Sequence, residues 1–304
     1  MAITASQVKE LRERTGAGML DCKTVLVEVD GDIEKAIDVL REKGLAKAAK
    51  KAGRIAAEGL VRIEIPEDGS YAGIVEVNSE TDFVAKNEDF ISFVERIATL
   101  VIETEAATVE ELLERMYDAD QTVNSKLTDF IATIGENIGI RRFSILKTPG
   151  VKYIGYLHGA GKIGVTIGLK TEASAADVAA VGKDIAMQVA SMNPLFLDES
   201  AVDPAYMESE KEILTAQALN EGKPADIVEK MVVGRLKKEL KETCLVEQKF
   251  VKNGELTVAQ YIKDQAKEIG QSIEVVEMVR YEVGEGIEKK TENFAEEVAK
   301  QMGQ

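Results

Sequence analysis

The chain has 304 residues, 45% of them hydrophobic and 30% charged, which is the balance of a folded protein with a sizeable core. It has no run of roughly 20 uncharged apolar residues, the length that a membrane span needs, and no secretory signal at its N-terminus, so we expect a cytoplasmic protein. Because 54 acidic residues outnumber 38 basic ones, for a net charge of −16, nucleic acid is a poor partner for its surface.

The inventory of reactive residues argues against an enzyme. The two cysteines, Cys22 and Cys244, lie far apart and have no metal-ligand spacing. His158 is the one histidine, which excludes most zinc sites and most histidine-assisted nucleophiles. We therefore expect no metal, no cofactor and no covalent chemistry.

The N-terminal segment is expected to form three helices. Thr4 and Gln7 have the spacing of a capping box, in which two side chains satisfy free N–H groups at a helix start. A second helix is expected over 19–29, and Asp32 can cap a third whose apolar residues recur on one face. We expect Gly44 to end that third helix.

A basic, alanine-rich segment follows and is expected to form a helical linker. Its cations could contact phosphate, although a solvated helix face is the simpler interpretation. These cations are Arg41, Lys43, Lys47, Lys50, Lys51 and Arg54.

The apolar period changes to two after Leu60, which is typical of β-strands. Strands are expected over 60–65 and 71–78, followed by a helix that carries Phe90 and by a polar helical segment over 109–134.

The same order of elements then recurs. Strands over 140–147, 151–158 and 163–170 precede a helix that carries Val178 and Ile185. Strands followed by a helix, twice over, predict two related α+β subdomains, each an antiparallel sheet with helices on one face.

A helical hairpin is expected over 203–242, where Asp203 and Pro204 have the pattern of an N-cap and first helical residue. A hairpin this narrow must pack on another element or protrude. A strand over 275–283 and an amphipathic helix that carries Phe294 are expected to end the chain.

Residues 159–164 match the G-x-G-x-x-G pattern of dinucleotide-binding proteins. That fingerprint needs a strand before it and a helix after it, so that a pyrophosphate meets the helix N-terminus. Both flanks here have the period of strands, so a hairpin turn explains the glycines. A Walker loop also fails, because Tyr156 replaces its first glycine and Ile163 replaces its Mg²⁺-binding hydroxyl.

Several segments carry a more specific signal, and together they span essentially the whole chain. They read VKELRERTGAGMLDCK at 8–23, VNSETDFVAKN at 77–87, IGENI at 134–138 with Arg141 and Arg142 close behind, HGA at 158–160 and RYEVGEG at 280–286. The chain resembles the elongation factor Ts family, the exchange factors of the GTPase elongation factor Tu.

The resemblance implies an α+β architecture in four parts. A three-helix module like the ubiquitin-associated domain, with its basic linker, would occupy 1–54. Two core subdomains would follow at 55–138 and 139–274, the second carrying the protruding hairpin at 203–242. A C-terminal module would occupy 275–304.

The resemblance also implies a mechanism for nucleotide exchange. The loop Thr81, Asp82, Phe83 and Val84 would enter elongation factor Tu near its Mg²⁺ site, with the Phe83 ring wedged between two helices of the GTPase. Mg²⁺ would be dislodged, GDP released and GTP admitted, with no covalent step. Asp82 could act electrostatically near Mg²⁺ or simply cap the following helix.

Further contacts with elongation factor Tu carry over by resemblance. Lys9, Arg12, Met19 and Leu20 would meet its nucleotide domain, while Ile134, Gly135 and His158 would supply contacts from the core; Lys23 and Lys51 match more weakly. Structural roles compete with these assignments, since Met19, Leu20 and Phe83 could be core residues and Lys9 and Arg12 solvated charges.

Two other functions stay open from the sequence. One is a scaffold whose N-terminal module binds ubiquitin-like partners, although a scaffold has no need of the loop at Thr81–Val84. The other is a nucleotide-dependent oxidoreductase, which requires a strand, a glycine loop and a helix around 159–164. The hairpin at 203–242 could also pair two one-to-one complexes into a dimer.

Overall fold

The structure is a computed structural model that describes residues 3–222 and 224–288. The expected C-terminal helix around Phe294 lies outside these residues. The chain begins with three helices, α1 (Ala5–Thr15), α2 (Met19–Glu28) and α3 (Ile33–Lys51). The capping box of Thr4 and Gln7 is confirmed at the start of α1. The three helices share one small core of Val8, Leu11, Cys22, Val25, Leu26 and Ala36.

The first sheet and its helices follow. They are β1 (Glu58–Glu64), β2 (Ala72–Ser79), α4 (Asp82–Ala85), α5 (Glu88–Thr104), α6 (Val109–Leu113), α7 (Val123–Ile134) and β3 (Gly139–Leu146). The helical segment expected over 109–134 consists of two separate helices, α6 and α7. A short bridge between Met116 and Thr122 separates α6 from α7, and the Thr122 hydroxyl then caps α7.

Helix α3 continues past Gly44 to Lys51, so the prediction that Gly44 ends it is wrong. Gly44 is buried, and a Cβ at this position would lie 3.4 Å from the Ala132 Cβ on α7. The glycine therefore permits a close approach of two helices. The basic segment up to Lys51 is the second half of α3, and Arg54 follows the helix. This half also contacts α7, since the Arg41 guanidinium donates to the Ser125 hydroxyl at 2.7 Å.

The second half of the described chain contains β4 (Val151–His158), β5 (Ile163–Lys170), α8 (Ala175–Met192), α9 (Pro204–Asn220), α10 (Ala225–Thr243), β6 (Lys249–Phe250), β7 (Asn253–Thr257), α11 (Val258–Ile269) and β8 (Glu274–Glu282). The Asp203 cap of α9 is confirmed, since its carboxylate accepts the Ala205 N–H at 2.8 Å. The sequence patterns gave no prediction for β6, β7 and α11.

Strand pairing groups the strands differently from the expected boundaries. One antiparallel sheet has the order β1-β2-β3 and the other β4-β5-β8, while β6 and β7 form a small ribbon. Strand β3, expected to open the second subdomain, pairs with β2, and β8, expected in a separate C-terminal module, pairs with β5. Local periodicity identifies a strand but not its partner, because pairing is a long-range contact. The α+β class with antiparallel sheets is confirmed.

The two sheets pack face to face, with a helix on each outer face. Alternate residues of β2, such as Val75 and Val77, face α5, while Ile74 faces the second sheet in a cluster with Val61 and Tyr281. On the other side α8 covers β5 through Val165, Ile167 and Leu169. All of β2 is buried as a result.

A buried carboxylate, Glu76 on β2, links the two sheets. It accepts hydrogen bonds from Arg141 at 3.0 Å, from Arg142 at 2.6 Å and from the Gly284 N–H, just after β8, at 2.8 Å. Consecutive strand residues normally point to opposite faces. A bulge opposite Glu76 and Val77 leaves Arg141 as the extra residue of β3, so both guanidinium groups reach Glu76.

The hairpin of α9 and α10 has two apolar clusters. Ala218, Val228 and Val232 close the contact between its two helices. Val202, Leu240 and Cys244 form a second cluster at its base, with Phe196, Tyr206 and Met207. No helix among the described residues combines the length and apolarity needed to cross a bilayer.

Candidate functional site

The loop after β2 presents an aromatic ring to solvent. Thr81 is the N-cap of α4, a single helical turn in which Val84 and Ala85 are buried in the first core. Phe83 points the other way, and 80% of it is exposed. The alternative that Phe83 is a core residue is therefore wrong. A large exposed apolar side chain beside buried neighbours is typical of an interface anchor.

Asp82 does not cap the following helix. Thr81 caps α4, and Asn87 caps α5 by accepting the Asp89 N–H at 2.9 Å. The Asp82 carboxylate instead lies 2.6 Å from the Lys86 Nζ. Hydrogen bonding to Lys86 is the main reason that the pKa of Asp82 lies below its usual value, so the carboxylate is ionised at neutral pH.

A second segment lies directly against this loop. Gly135 ends α7 with a φ of 89°, and Ile134 before it is half-buried. Beyond them, the Glu136 carboxylate accepts the Thr81 hydroxyl at 2.6 Å. Lys51, at the end of α3, donates to the carbonyl of Ile131 at 3.4 Å. The structure thus brings the Thr81–Val84 loop together with Ile134, Gly135 and Lys51.

The turn between β4 and β5 lies near the same loop. The Lys162 Nζ in this turn lies 2.5 Å from the Glu58 Oε2 on β1. The positive charge of Lys162 also helps to lower the pKa of Asp82, after the larger effect of Lys86. His158 is exposed, with its Nδ1 3.0 Å from the Tyr156 hydroxyl. The imidazole therefore stands on the surface rather than inside the core.

The glycines of this turn have a structural explanation. His158 pairs with Ile163 in an antiparallel hairpin, as predicted. Gly161 has a φ of 98°, which favours glycine, and a Cβ on Gly164 would collide with a Val61 methyl. Gly164 thus permits the close packing of the two sheets. Without the helix that a dinucleotide site requires after its glycine loop, the oxidoreductase alternative is wrong.

The N-terminal site residues lie apart from the loop, on α1 and α2. Met19 and Leu20 begin α2 with 60% and 76% of their surface exposed, so the alternative that they are core residues is wrong. Lys9, Arg12 and Lys23 are also exposed, and Lys9 lies 3.6 Å from Glu13.

Comparison with known proteins identifies the family of this chain. The family description "Elongation factor TS" matches residues 80–285. Elongation factor Ts of Clostridioides difficile (strain 630) is 58% identical over 300 residues, which cover 99% of each chain. The protein of that name from Clostridium perfringens (strain 13 / Type A) is 56% identical over 301 residues, again 99% of each. This chain belongs to the elongation factor Ts family.

The family match begins just before the Phe83 loop and extends beyond β8. It takes in that loop, the 134–138 segment, β3, the second sheet and the hairpin, while the relatives' identity also extends over the N-terminal module, β1 and β2. Family membership makes the chain a translation elongation factor. Among residues 3–222 and 224–288, no three His, Cys, Asp or Glu side chains are grouped to hold a metal ion.

Sequence reasoning missed four charged residues that surround the loop. Lys86 and Lys162 lie near Asp82. Glu136 accepts a hydrogen bond from the loop, and Glu80 accepts one from the segment beside it. Glu80 and Glu136 both stand inside the motifs that carry the resemblance, so the signal was present. Only the three-dimensional contact shows that the two motifs meet.

Proposed function

We propose that this chain is the guanine nucleotide exchange factor of elongation factor Tu. It binds the GDP-bound GTPase, inserts the loop Thr81–Val84 near the Mg²⁺ site, dislodges Mg²⁺ and promotes release of GDP so that GTP can bind. Family membership supports the partner. The observation that carries the mechanism is the Phe83 ring, exposed over 80% of its surface on a loop whose neighbours are anchored in the core.

Burial of the ring supplies energy for the insertion. Fully burying a phenylalanine side chain contributes about 1.5–3 kcal/mol, and a ring restricted to two side-chain torsions loses little entropy. The backbone of α4 is already formed and packed through Val84 and Ala85, so little further ordering is required on binding.

Exchange follows from linkage between two bound partners. If the factor weakens GDP binding by some ratio, GDP weakens binding of the factor by the same ratio. Incoming GTP can then expel the factor, and no covalent chemistry by this chain is needed.

The remaining contacts extend the proposed interface on both sides of Phe83. Ile134, Gly135, His158 and the ionised Asp82 would contact the GTPase from the core. Lys9, Arg12, Met19, Leu20, Lys23 and Lys51 would do so from the N-terminal module. Cytoplasmic location, absence of a nucleic-acid partner and a dimer of one-to-one complexes remain predictions.

Release of fluorescent GDP from elongation factor Tu tests the proposal. The wild-type chain should accelerate release, and Phe83→Ala should reduce the acceleration at least tenfold, since about 1.4 kcal/mol corresponds to a factor of ten. Met116→Ala is the matched control, because Met116 is also an exposed apolar residue (51%) but lies outside the proposed interface.

Two results would contradict the proposal. No acceleration by the wild type would reject exchange activity and favour the scaffold alternative. Equal acceleration by wild type and Phe83→Ala would keep exchange but reject the wedge.

A further inference from the structure

Two carboxylates tie the Phe83 loop to the segment after α7. Glu136 accepts the Thr81 N–H at 3.0 Å and the Thr81 hydroxyl at 2.6 Å. In the opposite direction, Glu80 accepts the Asn137 N–H at 2.6 Å. Each segment therefore donates a backbone N–H to a carboxylate of the other. We call these four residues the loop clamp.

The loop clamp is itself fixed to rigid parts of the fold. The Asn137 side chain donates to the Arg54 carbonyl at 2.7 Å, just after α3. Ser79, the last residue of β2, donates to the Thr81 carbonyl at 3.0 Å. Ile138, which follows the clamp, is buried in the first core. Three separate elements thus hold the base of the Phe83 loop.

The bonds use up the polar groups of Thr81. Its hydroxyl donates to Glu136 and accepts the Val84 N–H at 3.5 Å, while its N–H also donates to Glu136. The polar groups of Thr81 are therefore engaged in bonds within the protein. Bonds to ionised acceptors are among the stronger hydrogen bonds in proteins.

We propose that Glu136 and Glu80 are positioning residues for nucleotide release. They hold the loop in its binding conformation before the partner arrives, so that Phe83 is presented in advance. This inference rests on the proposed function. If only a fraction of the chains holds the competent conformation, the concentration needed for half-maximal effect rises by the inverse of that fraction.

A positioning role differs from a merely structural one in its kinetic signature. A loosened loop must be ordered on binding, which raises the half-saturating concentration, whereas the bound complex and its maximal release rate stay the same. Loss of folded protein would instead lower the amount of active factor and the melting temperature together.

The test compares Glu136→Ala, Glu136→Gln, Thr81→Val and the double variant Thr81→Val/Glu136→Ala. We expect Glu136→Ala to raise the half-saturating concentration for GDP release about tenfold, with a maximal rate within about twofold of wild type. Glu136→Gln should be milder, because its amide oxygen can still accept one bond. The double variant should fall short of the product of the single effects, since Thr81 and Glu136 act through one contact.

Amide hydrogen exchange of the free protein provides a readout that needs no partner. The Thr81 N–H should exchange faster in Glu136→Ala than in wild type. Glu111→Ala is the matched control, because its carboxylate accepts the Ala107 N–H at 2.9 Å away from the loop. That variant should leave GDP release and Thr81 exchange unchanged.

The outcomes separate the two proposals. Acceleration by the wild type together with an unchanged half-saturating concentration in Glu136→Ala would overturn the positioning role alone. Unchanged Thr81 exchange in Glu136→Ala would overturn the clamp itself. Failure of the wild type to accelerate release would reject the proposed function, and the role of the clamp in release with it.

Discussion

Replacing Glu76 by glutamine should destabilise the protein by about 3 kcal/mol. Removing one member of a buried ion pair typically costs about 3–5 kcal/mol, because the remaining charge loses its partner. Glu76 is fully buried, but the side chains of Arg141 and Arg142 keep 28% and 32% of their surface in water. The guanidinium groups are thus partly hydrated after the change, which favours the lower end of the range.

The structure also indicates which hydrogen bond the new amide group could not accept. The amide oxygen introduced by Glu76→Gln can still accept the Gly284 N–H, but the new NH₂ group would face the Arg142 Nε, which now lies 2.6 Å from a carboxylate oxygen. Two donors would then oppose each other. Urea unfolding followed by circular dichroism at pH 7 measures the loss of unfolding free energy.

A matched control separates the effect of burying a carboxylate from the effect of removing its charge. Glu105 forms an exposed pair with Lys147, with 2.5 Å between Oε1 and Nζ, so Glu105→Gln should leave the free energy of unfolding nearly unchanged. A loss below about 1 kcal/mol for Glu76→Gln would refute the reasoning, because it would show that the buried carboxylate contributes no more than a typical surface pair.

The pH dependence supplies a second check on Glu76. Burial opposes its ionisation and is the largest single effect, but bonds from Gly284, Arg141, Arg142 and Asn78 together outweigh it and lower the pKa. A carboxyl with a lowered folded pKa stabilises the protein above its unfolded pKa of about 4.3, and this stability is lost as pH falls through the folded pKa. The difference between wild type and Glu76→Gln should thus be constant from pH 7 to about 5 and shrink below about pH 4. If the difference in unfolding free energy between wild type and Glu76→Gln stayed constant down to about pH 2, the lowered pKa of Glu76 would be contradicted.

Two further predictions concern the packing of the sheets and the hairpin. Gly164→Ala should cost about 1–3 kcal/mol, because its Cβ would meet Val61, whereas Gly254→Ala, with open space around it, should leave the melting temperature nearly unchanged. Replacing residues 211–235 by a short glycine–serine turn keeps the base cluster at Val202 intact. Light scattering of the complex with elongation factor Tu should then show one-to-one particles in place of dimers, and an unchanged mass together with unchanged exchange would reject the hairpin as a second interface.

Local signals in the sequence predicted the elements that depend on near neighbours. The capping box at Thr4 and the cap at Asp203 need only residues two or three positions away, and both are confirmed. The turn at 159–162 followed in the same way from strand periods on its two sides. Local signals failed where a distant contact overrides the local preference. At Gly44 the sequence predicted a helix end, but α3 continues because α7 packs closely against this glycine.

The sequence by itself determined the family, the α+β class and the position of the proposed exchange loop within the chain. The tertiary structure alone decided which strands pair, so that β3 and β8 joined sheets other than expected. It also decided the direction of Phe83, because the same short helical turn buries Val84 and exposes the ring only when docked on the first core. Glu80 and Glu136 are far apart in the chain, and their segments bond to each other only because α7 and β2 end side by side.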